Sequence, residues 1–377
     1  MRLNTRFILE KGVAMRRGLF LLSSVLIALA VVPRLVSRLA VDRMPVVLAA
    51  ACCLLLVAPG AAVADPIATI PVGTEPVGVA VNSATDKVYV ATRADNAVTV
   101  IQGLEVIATV PVGTFPRQVA LNPVTNKVYV TNFESGDVSV IDGSTDTVIA
   151  TIPVGPNPFG VGVNPITNKI YVASAGTNAV SVINGATDSV IRKIPVHRSG
   201  PLGLAVNPIT NKIYVANAGC CSNLGSTVSV IDGATDTFVS TIDLGHKINP
   251  LTVAVNPATN KVYVTHVCPE GIRNLRECEA DFGSHELTVI DGSTDTVTTR
   301  VTVGHFPFGP AADSQRNKIY VPNVFSNTVS LLDGTTDAVI EEIPVGAGPA
   351  GVGINTTTNR VYISNLADNT VSVITRR

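Results

Sequence analysis

Histidines recur at matching places in this sequence, and their spacing could support metal chemistry. His197, His246 and His305 lie in the similar segments IPVHRSGP, DLGHKINP and TVGHFPFG. Neutral imidazoles are common ligands of divalent metals, so side chains brought together from such segments could activate a water molecule for hydrolysis. The competing interpretation is that these histidines are solvated or bonded to backbone groups. His266 and His285 are the remaining two histidines.

Cysteines form a second group of reactive residues. Four of the six cysteines come after residue 64, namely Cys220, Cys221, Cys268 and Cys278. In an exported protein we expect them to form disulfides rather than free thiols. Four cysteines allow three pairings, and a bond between adjacent Cys220 and Cys221 would close a small strained ring. We therefore favour bonds between the two segments, with Cys268–Cys278 plus a vicinal bond as the alternative. Zinc fits the spacing less well, because no Cys-x-x-Cys knuckle is present.

Candidate binding residues lie beside the histidines. Phe115 and Arg117 belong to the segment TFPRQ, and Phe306 and Phe308 belong to HFPFG. The sequence has no Gly-rich phosphate loop, Gly-x-Ser-x-Gly elbow or His-Glu-x-x-His pair. We therefore predict no catalytic residue, no bound metal and no cofactor. The residues that we predict to contribute to binding are His197, His246, His266, His305, Arg117, Phe115, Phe306 and Phe308.

The elements that must position these residues are repeated units, which the tyrosines reveal. Every tyrosine lies in a phrase such as KVYVAT, KVYVTN or KIYVAN, with a basic residue two positions before it. The phrases recur about every 40–45 residues over most of the chain, a period typical of propeller blades. The seven tyrosines are Tyr89, Tyr129, Tyr171, Tyr214, Tyr263, Tyr320 and Tyr362.

Residues 117–155 show the unit most clearly. The segments RQVALNP, KVYVTN, DVSVIDG and TVIATIPVG have the composition of four strands, and Asn-Pro and Asp-Gly pairs supply turns between them. Seven such units predict an all-β fold, a seven-bladed β-propeller of four-stranded antiparallel blades. The last unit lacks its fourth strand, whereas residues 67–73 read IATIPVG, identical to residues 149–155. We therefore predict that the N-terminal strand completes the last blade and closes the ring.

The phrase at Tyr129–Asn132 spells YVTN. On this signature, the region from Asp65 to Arg377 resembles the YVTN-repeat β-propeller family, in particular its YncE-like exported group. The resemblance implies seven blades and an exported or cell-surface protein, but no single reaction. The sixth unit departs most from the pattern, because ADSQRNKIYVPN lacks the Asn-Pro opening. The chain contains no tryptophan, which disfavours WD40 and tryptophan-docked quinoprotein propellers.

The first 64 residues have the features of a signal or leader segment. The apolar run at residues 45–58 precedes Ala62-Val63-Ala64, a small-x-small site, so we predict cleavage after Ala64 and a single propeller domain at residues 65–377.

The leader holds eight of the 27 Lys and Arg and two of the 28 Asp and Glu. The mature part therefore has 19 basic and 26 acidic residues, a net charge of −7. This charge disfavours nucleic acid as a partner, and membrane attachment would require an uncleaved leader.

The predicted strand order gives the propeller two different faces. The near-identical first and third turns share one face, where Asn and Asp residues are expected to cap turns and Asp-Gly-x-Thr-Asp to form hairpins rather than calcium sites. The variable second loops and inter-blade connections share the other face, which holds all the candidate binding residues.

We predict an exported protein (periplasmic, secreted or cell-surface) that is a non-enzymatic scaffold for a protein, peptide or cell-envelope glycan. The alternative is a metal-dependent lactonase-like or lyase-like enzyme, with His246 and His305 at the pore mouth.

Overall fold

A computed structural model describes residues 67–196, 200–220, 223–245, 248–267 and 284–375. These residues form seven four-stranded antiparallel sheets, and the one helix within the described ranges is the 3-10 turn Arg93–Asp95. No helix in this part of the chain has the length and apolar character needed to cross a membrane. The predicted all-β, seven-bladed propeller is confirmed. The leader at residues 1–64 lies outside the described residues, so its cleavage stays a prediction.

The strands follow one another in chain order, four to a blade. Blade one contains β2 (Pro76–Asn82), β3 (Lys87–Thr92), β4 (Ala97–Gln102) and β5 (Glu105–Pro111); blade two contains β6 (Pro116–Asn122), β7 (Lys127–Asn132), β8 (Asp137–Asp142) and β9 (Thr147–Pro153). Blade three contains β10 (Pro158–Asn164), β11 (Lys169–Ser174), β12 (Ala179–Asn184) and β13 (Ser189–Pro195); blade four contains β14 (Pro201–Asn207), β15 (Lys212–Cys220), β16 (Asn223–Asp232) and β17 (Thr237–Asp243). Blade five contains β18 (Pro250–Asn256), β19 (Lys261–His266), β20 (Glu286–Asp291) and β21 (Thr296–Thr302); blade six contains β22 (Ala311–Asp313), β23 (Lys318–Asn323), β24 (Thr328–Asp333) and β25 (Val339–Pro344).

Blade seven is assembled from both ends of the chain. Its first three strands are β26 (Pro349–Asn355), β27 (Arg360–Asn365) and β28 (Thr370–Thr375), and its fourth is β1 (Ile67–Pro71). Strand β1 pairs antiparallel with β28, with Ile67 opposite Ile374 and Pro71 opposite Thr370. The structure is thus consistent with the closure predicted from the repeated IATIPVG segment. Closure gives β28 a partner along its outer edge, so blade seven has four strands like the other blades.

The middle strands of each blade carry the core, because neighbouring blades cover both of their faces. In blade two, β7 is buried from Val128 to Asn132, and β8 from Val138 to Ile141. The outer strand β9 is exposed along most of its length, with only Ile152 buried. β-branched side chains pack well on such two-sided pleated surfaces, so the composition of the middle strands matches their position.

Glycines on the innermost strands let the blades approach one another closely. A Cβ atom built on Gly160 would lie 2.5 Å from the Leu202 carbonyl oxygen of the next blade. One built on Gly203 would lie 2.6 Å from the Leu251 carbonyl oxygen of the blade after that. Backbone atoms cannot move aside as a flexible side chain can, so these positions require glycine. The first strands are therefore in backbone contact around the central channel.

The Asn side chains of the near-identical first turns cap their own turns and also join neighbouring blades. The Asn122 side-chain oxygen accepts a hydrogen bond from the Val124 N–H, which is the predicted cap, and its Nδ2 donates to Asn168 Oδ1 of the next blade at 2.8 Å. The sequence pattern alone does not predict this second bond. Equivalent bonds between blades join Asn82 to Asn126, Asn164 to Asn211, Asn207 to Asn260, Asn256 to Asn317 and Asn355 to Asp86.

A second set of bonds between blades explains the basic residue and the tyrosine of the repeated phrases in blades one to five. Lys169 Nζ lies 2.7 Å from Asp236 Oδ2 of the next blade, and the Tyr171 hydroxyl donates to Asp236 Oδ1 at 3.1 Å. Burial, followed by the charge of Asp236, raises the pKa of Tyr171, so the phenol stays a donor. The final Asp of the third turn therefore serves the preceding blade. The other trios are Lys87–Tyr89–Asp146, Lys127–Tyr129–Asp188, Lys212–Tyr214–Asp295 and Lys261–Tyr263–Asp337.

Candidate ligand site at the channel mouth

The connection that enters blade two is held in a fixed turn on the variable face. Phe115 has a φ of 59°, in the left-handed region that residues other than glycine seldom adopt. Its N–H donates to Asn96 Oδ1 at 2.8 Å, and its carbonyl accepts from the Phe133 N–H at 3.0 Å. Pro116 then begins β6, and Arg117 follows it. Bonds from both neighbouring second loops thus fix the backbone that presents Phe115 and Arg117.

The Arg117 guanidinium lies among three phenylalanine rings. Its Cζ atom is 4.7 Å from the ring centroid of Phe115, 5.1 Å from that of Phe133 and 5.4 Å from that of Phe159. Cations within about 6 Å of a ring centroid are attracted by the negative ring face. Arg93 also contacts the Phe115 ring, with its Cζ atom 4.7 Å from the centroid. Residues from blades one, two and three therefore meet in one aromatic and cationic cluster.

The two arginines of this cluster are satisfied differently. Arg93 is paired with Glu75, whose Oε2 atom lies 2.7 Å from Nη2 and 2.8 Å from Nε. Arg117 donates no side-chain hydrogen bond to any described residue, and its Nε atom is buried without a partner. Burial, followed by the charge of Arg93, lowers the pKa of Arg117 to about 9, so the group is still charged at neutral pH. Arg117 is thus a partly exposed cation among aromatic rings, and its buried Nε–H has no acceptor among the described residues.

Side chains at or shortly before the starts of several innermost strands meet in the channel on this face. The rings of Phe159 and Phe308 meet edge to face with centroids 6.5 Å apart, although they belong to blades three and six. Phe308 also packs against the cluster that contains Val77 and Ala350. We refer to Val77, Arg117, Phe159, Phe308 and Ala350 as the channel plug. The plug is apolar except for the single guanidinium.

A cavity of about 170 Å³ lies in the channel next to the plug. Its lining comes from all seven blades and consists mostly of glycine backbone and aliphatic side chains, with Gln118 and Thr252 as the polar side chains. The Thr252 hydroxyl lies 2.6 Å from the Thr265 hydroxyl and accepts from the Gly309 N–H, so it is engaged in the wall. The Gln118 amide bonds to no described residue. Gln118 directly follows Arg117 on β6, so this strand runs from the plug into the wall of the cavity.

His266, a predicted binding residue, is buried in the wall of blade five. Its Nε2 atom lies 2.6 Å from Thr288 Oγ1, and the residue is 0% exposed. Burial, followed by the charge of Arg300, lowers the pKa of His266 to about 3. It ends β19 just as Asn132 ends β7, where the Asn132 amide donates to Ser139. His266 thus bridges two strands in the interior of blade five.

His305 and Phe306 belong to the connection that enters blade six. The His305 ring meets His285 edge to face with centroids 3.6 Å apart, and its backbone N–H donates to Ser326 Oγ. The Phe306 ring lies 5.1 Å from that of Phe325. All of these rings are partly exposed on the variable face.

The structure thus brings Phe115, Arg117 and Phe308 together, and it adds residues that the sequence analysis missed. Phe159 and Arg93 complete the cluster, and Gln118 links it to the cavity. A usable signal existed for Phe159, because it follows the proline that begins β10 just as Arg117 follows Pro116 and Phe308 follows Pro307. Arg93 carries no such signal, since its role depends on contact with a ring from the next blade.

Several predicted residues cannot be placed. His197, His246, Cys221, Cys268 and Cys278 lie outside the described residues, as does the side chain of Cys220. Their binding roles and the disulfides stay predictions. Within the described ranges, no three His, Cys, Asp or Glu side chains converge as a metal site would require.

Comparison with known proteins shows the fold and no family. The chain matches no protein family and no curated protein. Among solved structures it is similar to hydrazine synthase of Kuenenia stuttgartiensis, with a TM-score of 0.69 and 21% sequence identity over 80% of this chain and 96% of that chain. At this identity the likeness shows a shared propeller fold alone.

Proposed function

We propose that this protein is an exported, non-enzymatic β-propeller of the YVTN-repeat, YncE-like type that binds a partner through its variable face. The observation that carries the proposal is the Arg117 guanidinium, which lies among three phenylalanine rings with its hydrogen-bond donors unused. β-Propellers commonly serve as interaction scaffolds, in which a rigid ring presents variable loops.

The composition of this face supports partner binding. Arginine and aromatic residues are enriched among the side chains that dominate the energetics of protein interfaces, because they bury large areas in well-packed pockets. Partly exposed rings of Phe115, Phe133, Phe306 and Phe325 are spread over the connections and second loops of two blades. The opposite face consists of turns bonded to one another across the blades. The partner that we propose is a protein, a peptide or a cell-envelope glycan.

Capture from a cell-envelope extract tests this proposal. The immobilised mature chain is compared with a Phe133→Ala/Phe325→Ala variant, which removes partly exposed rings from the second loops of blades two and six. The matched control is Ile166→Ala/Ile209→Ala, which removes apolar side chains 73% and 69% exposed on the opposite face. We expect a partner that the wild type and the opposite-face variant retain and the variable-face variant loses. Thermal melting confirms that all three proteins are folded. Equal retention by the variable-face variant would contradict the proposal.

Export of the protein is tested by a separate experiment. N-terminal sequencing of the protein recovered from its native cells should begin at Asp65, and non-reducing peptide mapping should show the four later cysteines in disulfides. An N-terminus at Met1 with all thiols free would contradict export.

A further inference from the structure

The charge of Arg117 indicates the class of ligand that this site would bind. A charged group in apolar surroundings is destabilising unless an opposite charge and hydrogen bonds compensate for it. The cation–π contacts with Phe115, Phe133 and Phe159 compensate in part. They leave the N–H groups of the guanidinium without an acceptor among the described residues.

Arg93 provides an internal comparison. It contacts the same Phe115 ring at the same distance, yet it is bonded to the Glu75 carboxylate through two nitrogens. Glu75 is therefore already engaged, and Glu134 contributes to Arg117 only through its charge, without a hydrogen bond. The cluster thus shows one arginine with its carboxylate in place and a second one that lacks it.

The size of the space next to Arg117 limits the kind of molecule that could supply the missing hydrogen-bond acceptor. The cavity of about 170 Å³ has glycine backbone from several blades in its wall, and the Gln118 amide is the unused polar group in it. A dry cavity of about 150 Å³ is known to accept one benzene-sized molecule. A body no larger than a single ring therefore fits beside the plug, in contact with apolar walls.

We propose that Arg117 anchors the carboxylate of a ligand that carries a small apolar body, with the plug phenylalanines and the channel cavity receiving that body. A planar guanidinium matches a carboxylate through two parallel hydrogen bonds. The Gln118 amide supplies a further donor or acceptor on the same strand. This inference rests on the proposed function and specifies its chemistry, since the carboxylate belongs to the ligand bound at the variable face.

Benzoate is a suitable probe, because it combines a carboxylate with one ring. We expect benzoate to shift NMR resonances of Gln118 and of the plug residues saturably, and to raise the melting temperature. Benzyl alcohol keeps the ring without the charge, whereas sulfate keeps the charge without the ring. Both should bind at least about tenfold more weakly, as expected from the loss of a charged hydrogen bond or of the apolar contact.

Three variants separate binding from packing. Arg117→Met keeps an apolar chain in the plug, and we expect it to lose benzoate binding while melting at or above the wild-type temperature, because a charge that is only partly compensated is removed. Arg117→Lys keeps the charge without the two-pronged geometry, and its benzoate affinity should be reduced severalfold. Arg192→Met removes an exposed arginine on β13, and it should bind benzoate as the wild type does.

Each result has a defined meaning. Absence of benzoate binding by the wild type, with a lowered melting temperature in Arg117→Met, would assign Arg117 a purely structural role and overturn the anchor. Sulfate binding as tight as benzoate binding would overturn the apolar body. Failure of the anchor does not affect the capture experiment, which leaves Arg117 unchanged, and failure of capture does not affect benzoate binding.

Discussion

Single residues at the ends of the second strands show how one buried position accepts different side chains. Asn132, Asn217, Asn323 and Asn365 each donate to a serine on the neighbouring third strand, namely Ser139, Ser229, Ser330 and Ser372. In blade five the pair is His266 with Thr288. The His266 Nδ1 atom is buried without a hydrogen bond, and a proton there would place a positive charge near Arg300.

This placement makes the fold sensitive to acid. The pKa of His266 is lowered from 6.5 to about 3 on folding, so between these values the unfolded chain binds a proton that the folded chain does not. The stability conferred by neutral His266 is therefore complete above pH 6.5 and is lost as the pH falls towards 3. The limiting slope is about 1.4 kcal/mol per pH unit.

We expect His266→Asn, which introduces the asparagine found at this position in blades two, four, six and seven, to flatten this decline. Urea unfolding from neutral pH down to the acid limit of the wild type measures the free energy of unfolding for both proteins. Asn132→Ser, which introduces the residue that ends the matching strand of blade three, serves as the control and should keep the wild-type slope, because neither side chain titrates. An equally steep decline in His266→Asn would assign the acid sensitivity to other groups.

At the scale of elements, each of blades one to five is attached to the next by the start of its second strand. The Lys169–Tyr171–Asp236 trio joins β11 of blade three to the third turn of blade four, and it lies in a largely buried position. A largely buried charge that loses its partner keeps its desolvation penalty, so such trios contribute more than exposed ion pairs do.

We predict that Asp236→Asn lowers the free energy of unfolding by about 1.5–3 kcal/mol, as expected for hydrogen bonds to a charged group. Tyr171→Phe removes one of these bonds and should lower it by about 1 kcal/mol. Equilibrium unfolding of Asp236→Asn, Lys169→Met and the double variant gives the coupling energy. Additive effects would show that the two side chains stabilise the fold independently.

At the scale of the whole molecule, the repeated bonds between blades are interrupted where blade six meets blade seven. Asp313 replaces the asparagine of the other blades, so it accepts bonds from its own turn and from Arg316, and it has no amide to donate to the next blade. Lys318 pairs with Asp333 within its own blade. Blade seven has no third hairpin, because its fourth strand comes from the other end of the chain.

Restoring the common pattern at this seam should stabilise the ring. In Asp313→Asn/Arg316→Thr, the new amide can donate to Asn359, which has the place of Asn168 in the bond from Asn122. We expect a gain of about 0.5–1.5 kcal/mol in the free energy of unfolding. The reverse change, Asn207→Asp, breaks a regular bond and should destabilise by a similar amount. Changes of the same sign in both variants would contradict this interpretation.

Closure of the ring by strand β1 should be required for cooperative unfolding. Strand β1 covers β28 and buries Ile70, which packs in the cluster with Val371 and Val373. Deletion of residues 65–73 should therefore abolish the single sharp melting transition and promote association through the uncovered strand. Calorimetry and size-exclusion chromatography of the truncated and mature chains measure both effects. A truncated chain that melts as sharply as the mature one would show that closure is dispensable.

The sequence by itself determined the repeated unit, the number of blades, the strand order and the closure, because these follow from local alternation, turn residues and a period that repeats seven times. It also assigned Phe115, Arg117 and Phe308 to one face. Only the tertiary structure decided that His266 is buried, that the Asn and Asp residues of the turns bond across blades, and that Phe159 meets Phe308 across the channel. These contacts join residues that are distant in sequence, and the unused guanidinium of Arg117 emerges only when all its neighbours are in place.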